Sequence, residues 1–96
     1  MPISDPLYRF THAIVQGAPE NAGVYALWRD GELIYLGRAT SIRQRLLDHL
    51  ERTPLPCTSG TTHYSWELSL RAETREAEFL AQFTLRHGRP PRCNAA

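Results

Sequence analysis

Two short alternating runs joined at Asp30–Gly31 constrain this chain more than any other feature. Val24, Ala26, Ile34 and Leu36 alternate with more polar or aromatic neighbours, the period-two pattern of a strand. Asp-Gly between such runs predicts a hairpin, because both turn positions tolerate positive φ. The hairpin brings Tyr25 and Tyr35 near each other, with the register left open. Gly37 ends the second strand, where the backbone must turn or admit a close neighbour. Thr40 or Ser41 caps a helix that follows. Ile42, Leu46, Leu47 and Leu50 give that helix an apolar stripe. Arg45 and His49 lie one turn apart beside the stripe, and Arg52 continues their row.

Two tyrosines, a glycine and an Arg–His–Arg row at one end of a hairpin suit a phosphate. Arginine presents a fixed fork of donors to phosphate oxygens. Tyrosine offers a hydroxyl as donor, acceptor or base. The plainer reading is that tyrosine fits a half-buried pleated surface and that a flanking arginine is solvated.

A chain of 96 residues allows one domain with one small core. The formal charge of +1 does not announce a nucleic-acid partner. All 11 basic residues are arginine, which excludes a lysine nucleophile or Schiff base. Cys57 and Cys93 match neither a disulfide framework nor a zinc spacing, and two free thiols are expected rather than a metal set with His63. No segment is apolar enough to span a membrane, and residues 1–5 do not read as a signal peptide. The chain is expected to be intracellular, in the cytoplasm.

Before the hairpin, Tyr8, Phe10, Ile14 and Val15 suit a short amphipathic helix or an extended lead-in, broken by Gly17, Pro19 and Asn21. His12 there reads as a surface or packing residue. Thr53 to Thr62 is a loop, with Pro54 and Pro56 stopping the first helix. Its Cys57, Thr58, Ser59 and Thr61 add polar contacts but no evident chemistry. His63 to Leu70 alternates as a third strand, with Tyr64, Trp66 and Leu68 on one face. Trp66 reads as core rather than as a stacking platform. Glu73 to His87 forms the second long helix, ended by Gly88 and barred from continuing by Pro90–Pro91. Ala77, Leu80, Phe83 and Thr84 are expected to share a face. Glu73, Glu76 and Glu78 lie in its first turns, where the helix dipole favours acids. Arg86, Arg89 and Arg92 make a basic stretch that ends at Asn94.

Gly23-Val24-Tyr25, then Tyr35-Leu36-Gly37, then Arg45, resembles the GIY-YIG nuclease family. Tyr25 to Tyr35 is ten residues and Tyr35 to Arg45 is ten more, as in that family. His49 matches a histidine of many members, and Asn94 matches an asparagine near the family domain's end. Val24 and Leu36 stand where the family has isoleucine. The resemblance covers roughly residues 22–94.

The resemblance implies an α+β fold, a small mostly antiparallel three-stranded sheet flanked by helices. Residues 1–21 would be a lead-in packing on a GIY-YIG-like nuclease domain at 22–96. It implies a metal-dependent endonuclease that hydrolyses phosphodiester bonds in nucleic acid, DNA rather than RNA, single-stranded or structured. The alternative is a nucleic-acid-binding module of the same fold that does not cut. Tyr25, Tyr35, Arg45 and His49 would be catalytic, with Tyr25 the base or water-positioner. A single Mg²⁺ or Mn²⁺ would be held by a glutamate of the second helix. Glu78 is assigned, by its distance from Asn94 and the preceding Ala77; Glu76, better placed on the apolar face, is the alternative. Gly37, Arg38 and Asn94 would contact or brace the substrate. Protein partners are left open.

Overall fold

The computed structural model of the chain describes residues 3, 6–53 and 55–94. Pro54, assigned above to stopping a helix, and residues 1, 2, 4 and 5 of the signal-peptide reading lie outside them. The elements run β1 (Tyr8–Arg9), α1 (His12–Val15), β2 (Gly23–Arg29), β3 (Glu32–Ala39), α2 (Ile42–Glu51), β4 (His63–Leu68) and α3 (Ala72–His87), with a 3-10 turn at Pro56–Gly60.

The hairpin forms as its sequence demands. Asp30 and Gly31 both take positive φ, 49° and 87°, the geometry that matches the twist of the flanking strands. The register sets Tyr25 opposite Gly37 and Leu27 opposite Tyr35. It then slips, so that Trp28 faces Leu33 and Ile34 is an extra residue on β3. Such a bulge turns neighbouring side chains to one side, and both Ile34 and Tyr35 pack in the same core.

The sheet has four strands in the order β1-β4-β2-β3, not the expected three. The fourth is the two-residue β1, where Tyr8 pairs with Tyr64 and Arg9 with His63. The lead-in is therefore both extended and helical, since α1 follows at once, capped by the Thr11 side chain.

One face of the sheet packs Tyr25, Leu27, Ile34 and Tyr64 with Ile42 and Leu46 of α2 and Val15 of α1. The other packs Val24, Ala26 and Leu36 with Phe79 of α3. Removing Ile42 or Leu46 from water contributes about 1.5–3 kcal/mol for each side chain. Ser41, not Thr40, caps α2, its hydroxyl accepting from Gln44 N at 3.3 Å. His49 lies within the α2 stripe rather than beside it, buried together with Ile42 and Leu46.

Helix α3 corrects the expected face as well. Phe79 is buried and Leu80 and Phe83 half-buried, whereas Ala77 and Thr84 are exposed. Gly88 closes the helix in the left-handed region, φ 76°, its amide donating to Thr84 O.

Cys57 and Cys93 are joined in a disulfide with Cα atoms 5.6 Å apart; they are not free thiols. The pair is 36 residues apart in sequence, so only the tertiary fold brings it together. No described helix is long and apolar enough to cross a membrane.

Candidate active site

The site begins with a glycine. A Cβ at Gly37 would lie 2.5 Å from both Cζ and the hydroxyl oxygen of Tyr25, so the Tyr25 side chain lies directly over the Gly37 backbone. Gly37 is itself buried and makes room for a side chain rather than opening the backbone to solvent. Gly23 at the other end of the motif is equally constrained, its missing Cβ space filled by Glu67 O of β4 and by Ile42.

Tyr25 is buried, and its hydroxyl is 2.8 Å from His49 Nε2. The Tyr35 ring completes a three-ring cluster, 6.1 Å from Tyr25 and 5.5 Å from His49 between centroids. Arg45, one turn before His49 on α2, has a half-exposed side chain 3.7 Å from Asp48. It lines a groove of about 450 Å³ with Arg38, Ser41, Gln44, Asp48 and Glu73. The predicted quartet of Tyr25, Tyr35, Arg45 and His49 is therefore one constellation: three packed rings with a guanidinium at their solvent side.

Burial chiefly, with help from Tyr35, pushes the Tyr25 hydroxyl well above the usual tyrosine range, and nearby Arg45 only partly offsets this. His49 is pushed down to about 4, first by burial and then by the Arg45 charge, with Asp48 opposing. At neutral pH both groups are uncharged. His49 then has a consequence for stability. An unfolded histidine titrates near pH 6.5, so between that value and about 4 the unfolded chain holds the extra proton. His49 thus contributes stability above pH 6.5 that is lost as pH falls through this window. From pH 7 to pH 5 the loss is about 2 kcal/mol. Urea unfolding at the two pH values should show this difference between wild type and His49→Gln; parallel pH dependences would contradict it.

Asn94 closes β3 from the edge. Its Oδ1 accepts from Leu36 N and its Nδ2 donates to Leu36 O, both at 2.9 Å. The side-chain amide thus stands in for a neighbouring strand one residue before Gly37. Asn94 braces the motif, both of its side-chain hydrogen bonds going to Leu36. Asn94→Ala should lower stability by about 1–3 kcal/mol by leaving these part-buried groups unpaired, read as a lower urea midpoint at unchanged slope. An unchanged midpoint would show that water replaces the amide without cost.

The glutamates divide across the sheet. Arg38 of β3 is 3.5 Å from Glu76 and 3.8 Å from Glu73. Glu78 instead pairs with Arg75 at 2.9 Å, and Arg75 reaches Glu67 of β4. Strands β3 and β4 flank β2 on opposite sides, so Glu78 is held on the side away from Arg38, and the structure does not bring it to the groove. Glu76 is the better sheltered, its side chain 21% exposed against 53% for Glu78. Burial raises the Glu76 carboxyl, Arg38 lowers it and Glu73 raises it. No group of three or more His, Cys, Asp or Glu able to share a metal occurs among the described residues.

Sequence reasoning missed Thr58. It is buried in the 3-10 turn, with its hydroxyl 3.4 Å from His49 Nδ1. Its position nine residues after His49, in a Pro- and Thr-rich loop, carried no signal of that contact.

A small antiparallel sheet between helices, with paired tyrosines on one hairpin and an arginine on the next helix, defines the class. No family model matches the chain. The UvrABC system protein C of Hydrogenobaculum sp. (strain Y04AAS1) is 36% identical over 69 residues, covering 71% of this chain and 12% of that protein. The same protein of Aquifex aeolicus (strain VF5) is 42% identical over 38 residues, covering 40% of this chain and 7% of that one. The chain thus matches about an eighth or less of the length of these curated relatives. Among solved structures, a point mutant of the GIY-YIG N-terminal endonuclease domain of UvrC from Thermotoga maritima, bound to its catalytic divalent cation, is similar at a TM-score of 0.65 and 22% identity. That match covers 82% of this chain and 88% of that one. The magnesium-bound form of the domain is similar at 0.60 and 21%, over 82% and 89%. The chain has the fold of the GIY-YIG endonuclease domain.

Proposed function

We propose that the chain is a metal-dependent endonuclease that hydrolyses phosphodiester bonds in nucleic acid, DNA in preference to RNA. The observation that carries this reading is the bonded Tyr25–His49 pair beside Arg45, which lines a groove. The likeness to the UvrC endonuclease domain supports it. The domain division at 21/22 and an intracellular setting belong to the same reading.

The residues divide the work. Arg45 faces the groove with a planar fork suited to a phosphate whose charge grows during attack. Tyr25 and His49 make a hydroxyl–imidazole pair able to hold or move a proton, and Tyr35 packs against both. Arg38 supplies a second cation at the groove for the nucleic-acid backbone. Gly37 acts by admitting Tyr25, and Asn94 by bracing Leu36. The donor set fits a hard divalent cation, because Glu76 and Glu73 offer oxygen ligands and Mg²⁺ is commonly held by one or two carboxylates. We assign Glu76 as the main ligand in place of Glu78, since Glu76 shares the Arg38 side with Glu73 and is the more sheltered, whereas Arg75 holds Glu78 toward β4. Magnesium or manganese bound there would supply charge neutralisation at the scissile phosphate.

The binding-module reading draws on one observation, the deep burial of the Tyr25 hydroxyl. A panel of single-stranded DNA, duplex, flap and RNA substrates with magnesium or manganese separates the two. Cleavage of DNA substrates supports the nuclease. Binding that weakens steeply with salt, with no product from any substrate, supports the module.

A further inference from the structure

We propose that Thr58 is a positioning residue that sets the tautomer of His49, so that Nε2 stands bare to accept the Tyr25 proton. The argument is one of hydrogen-bond accounting. The Thr58 hydroxyl donates to Leu55 O at 2.8 Å, and a hydroxyl has a single proton to give. Its remaining partner is His49 Nδ1 at 3.4 Å, toward which it can only accept. Nδ1 therefore carries the imidazole proton. A neutral imidazole has one donor and one acceptor nitrogen, so Nε2 is the acceptor. The only hydrogen-bond partner of Nε2 among the described residues is the Tyr25 hydroxyl at 2.8 Å, which must donate. The lone pairs of the Tyr25 oxygen are then left to receive a proton as its own passes to Nε2.

The opposite tautomer fits the same atoms poorly. Thr58 would have to give up Leu55 O to donate to Nδ1. His49 Nε2 would then donate to Tyr25, whose own proton would lose His49 as its acceptor. Each loss falls inside a buried cluster, where an unmade bond is expensive.

The fold holds Thr58 in place from two directions. The 3-10 turn that carries it bonds Thr58 N to Leu55 O and Thr61 N to Thr58 O. Its neighbour Cys57 is joined to Cys93, and Cys93 N donates to Ile34 O at 2.8 Å. The groups facing His49 are Tyr25 of β2, Tyr35 of β3, Arg45 and Asp48 of its own helix, and Thr58. Thr58 is the one that contacts Nδ1.

The catalytic consequence rests on the nuclease reading, but the tautomer does not, and the test reads the two apart. Ring-¹⁵N-labelled histidine, observed by long-range proton–nitrogen correlation at pH 7 without reductant, reports which ring nitrogen bears the proton. His49→Gln identifies the His49 signals among the four histidines. Wild type should show a protonated Nδ1 and a bare Nε2. Thr58→Ser should keep that pattern, and Thr58→Val should lose it. Thr58→Val should also cleave about tenfold more slowly in single turnover, the scale seen when an orienting partner is removed, with Thr58→Ser near wild type. A wild-type His49 protonated on Nε2 overturns the proposal even if Thr58→Val does not fold. A Thr58→Val spectrum identical to wild type overturns it too. The expected tautomer in a protein that cuts no substrate would leave this assignment standing and remove the nuclease.

Discussion

Replacing Arg45 with alanine should lower single-turnover cleavage by roughly a hundredfold or more, the usual consequence of losing one transition-state electrostatic contact. The fold should survive. Alanine is the best helix former, the Arg45 side chain is half-exposed, and its ion pair with Asp48 is 3.7 Å long at the surface, a contact of little stabilising value. Arg45→Ala should also move the two buried groups beside it. His49 loses a neighbouring positive charge that holds it down, so its titration should shift upward. Lysine at this position should restore that electrostatic effect without restoring full cleavage, because an ammonium lacks the planar fork. Wild-type rates in a folded Arg45→Ala protein would remove Arg45 from the chemistry.

The second large effect separates two glutamates half a turn apart on α3. Glu76→Gln should abolish metal-dependent cleavage, whereas Glu78→Gln should stay within about threefold of wild type, as expected of a surface ion pair. A bound divalent cation contributes several kcal/mol to such a reaction, so the gap between the variants should be on the order of a hundredfold or more. Glutamine keeps the length and the helix preference of glutamate, so the contrast reads charge rather than fraying. Glu76→Gln should fold at least as stably as wild type without metal, because burial disfavours the charged carboxylate in the folded state. The measurement is single-turnover cleavage against magnesium and manganese concentration. An active Glu76→Gln beside an inactive Glu78→Gln would put the metal on the Arg75 side of the helix.

Local signals made the hairpin and its site legible. Asp30–Gly31 fixes the turn through its backbone freedom and so brings Tyr25 and Tyr35 together, whereas Arg45 was marked by the family resemblance. The stop at Gly88 is equally local. What escaped depends on contacts between distant residues. Strand β1 is two residues long and exists only because Tyr8 and Arg9 find β4. The disulfide joins residues that share no local pattern. His49 looked like a member of a solvated row because a histidine among leucines breaks the apolar stripe, yet its ring is buried with a partner on each nitrogen. The phase of α3 was ambiguous because Ala77, Phe79, Leu80 and Phe83 admit more than one buried face. Choosing Phe79 as the buried anchor is what directs Glu76 toward Arg38 and leaves Glu78 with Arg75.

The most direct test of the site is nicking of plasmid DNA by the purified wild-type chain across a magnesium titration, with Arg45→Ala alongside and chelator as the zero point. Nicked product should rise with magnesium for wild type, vanish with chelator, and be reduced on the order of a hundredfold by Arg45→Ala. Equal nicking by both proteins, or nicking that persists in chelator, would contradict a metal-dependent nuclease acting through Arg45.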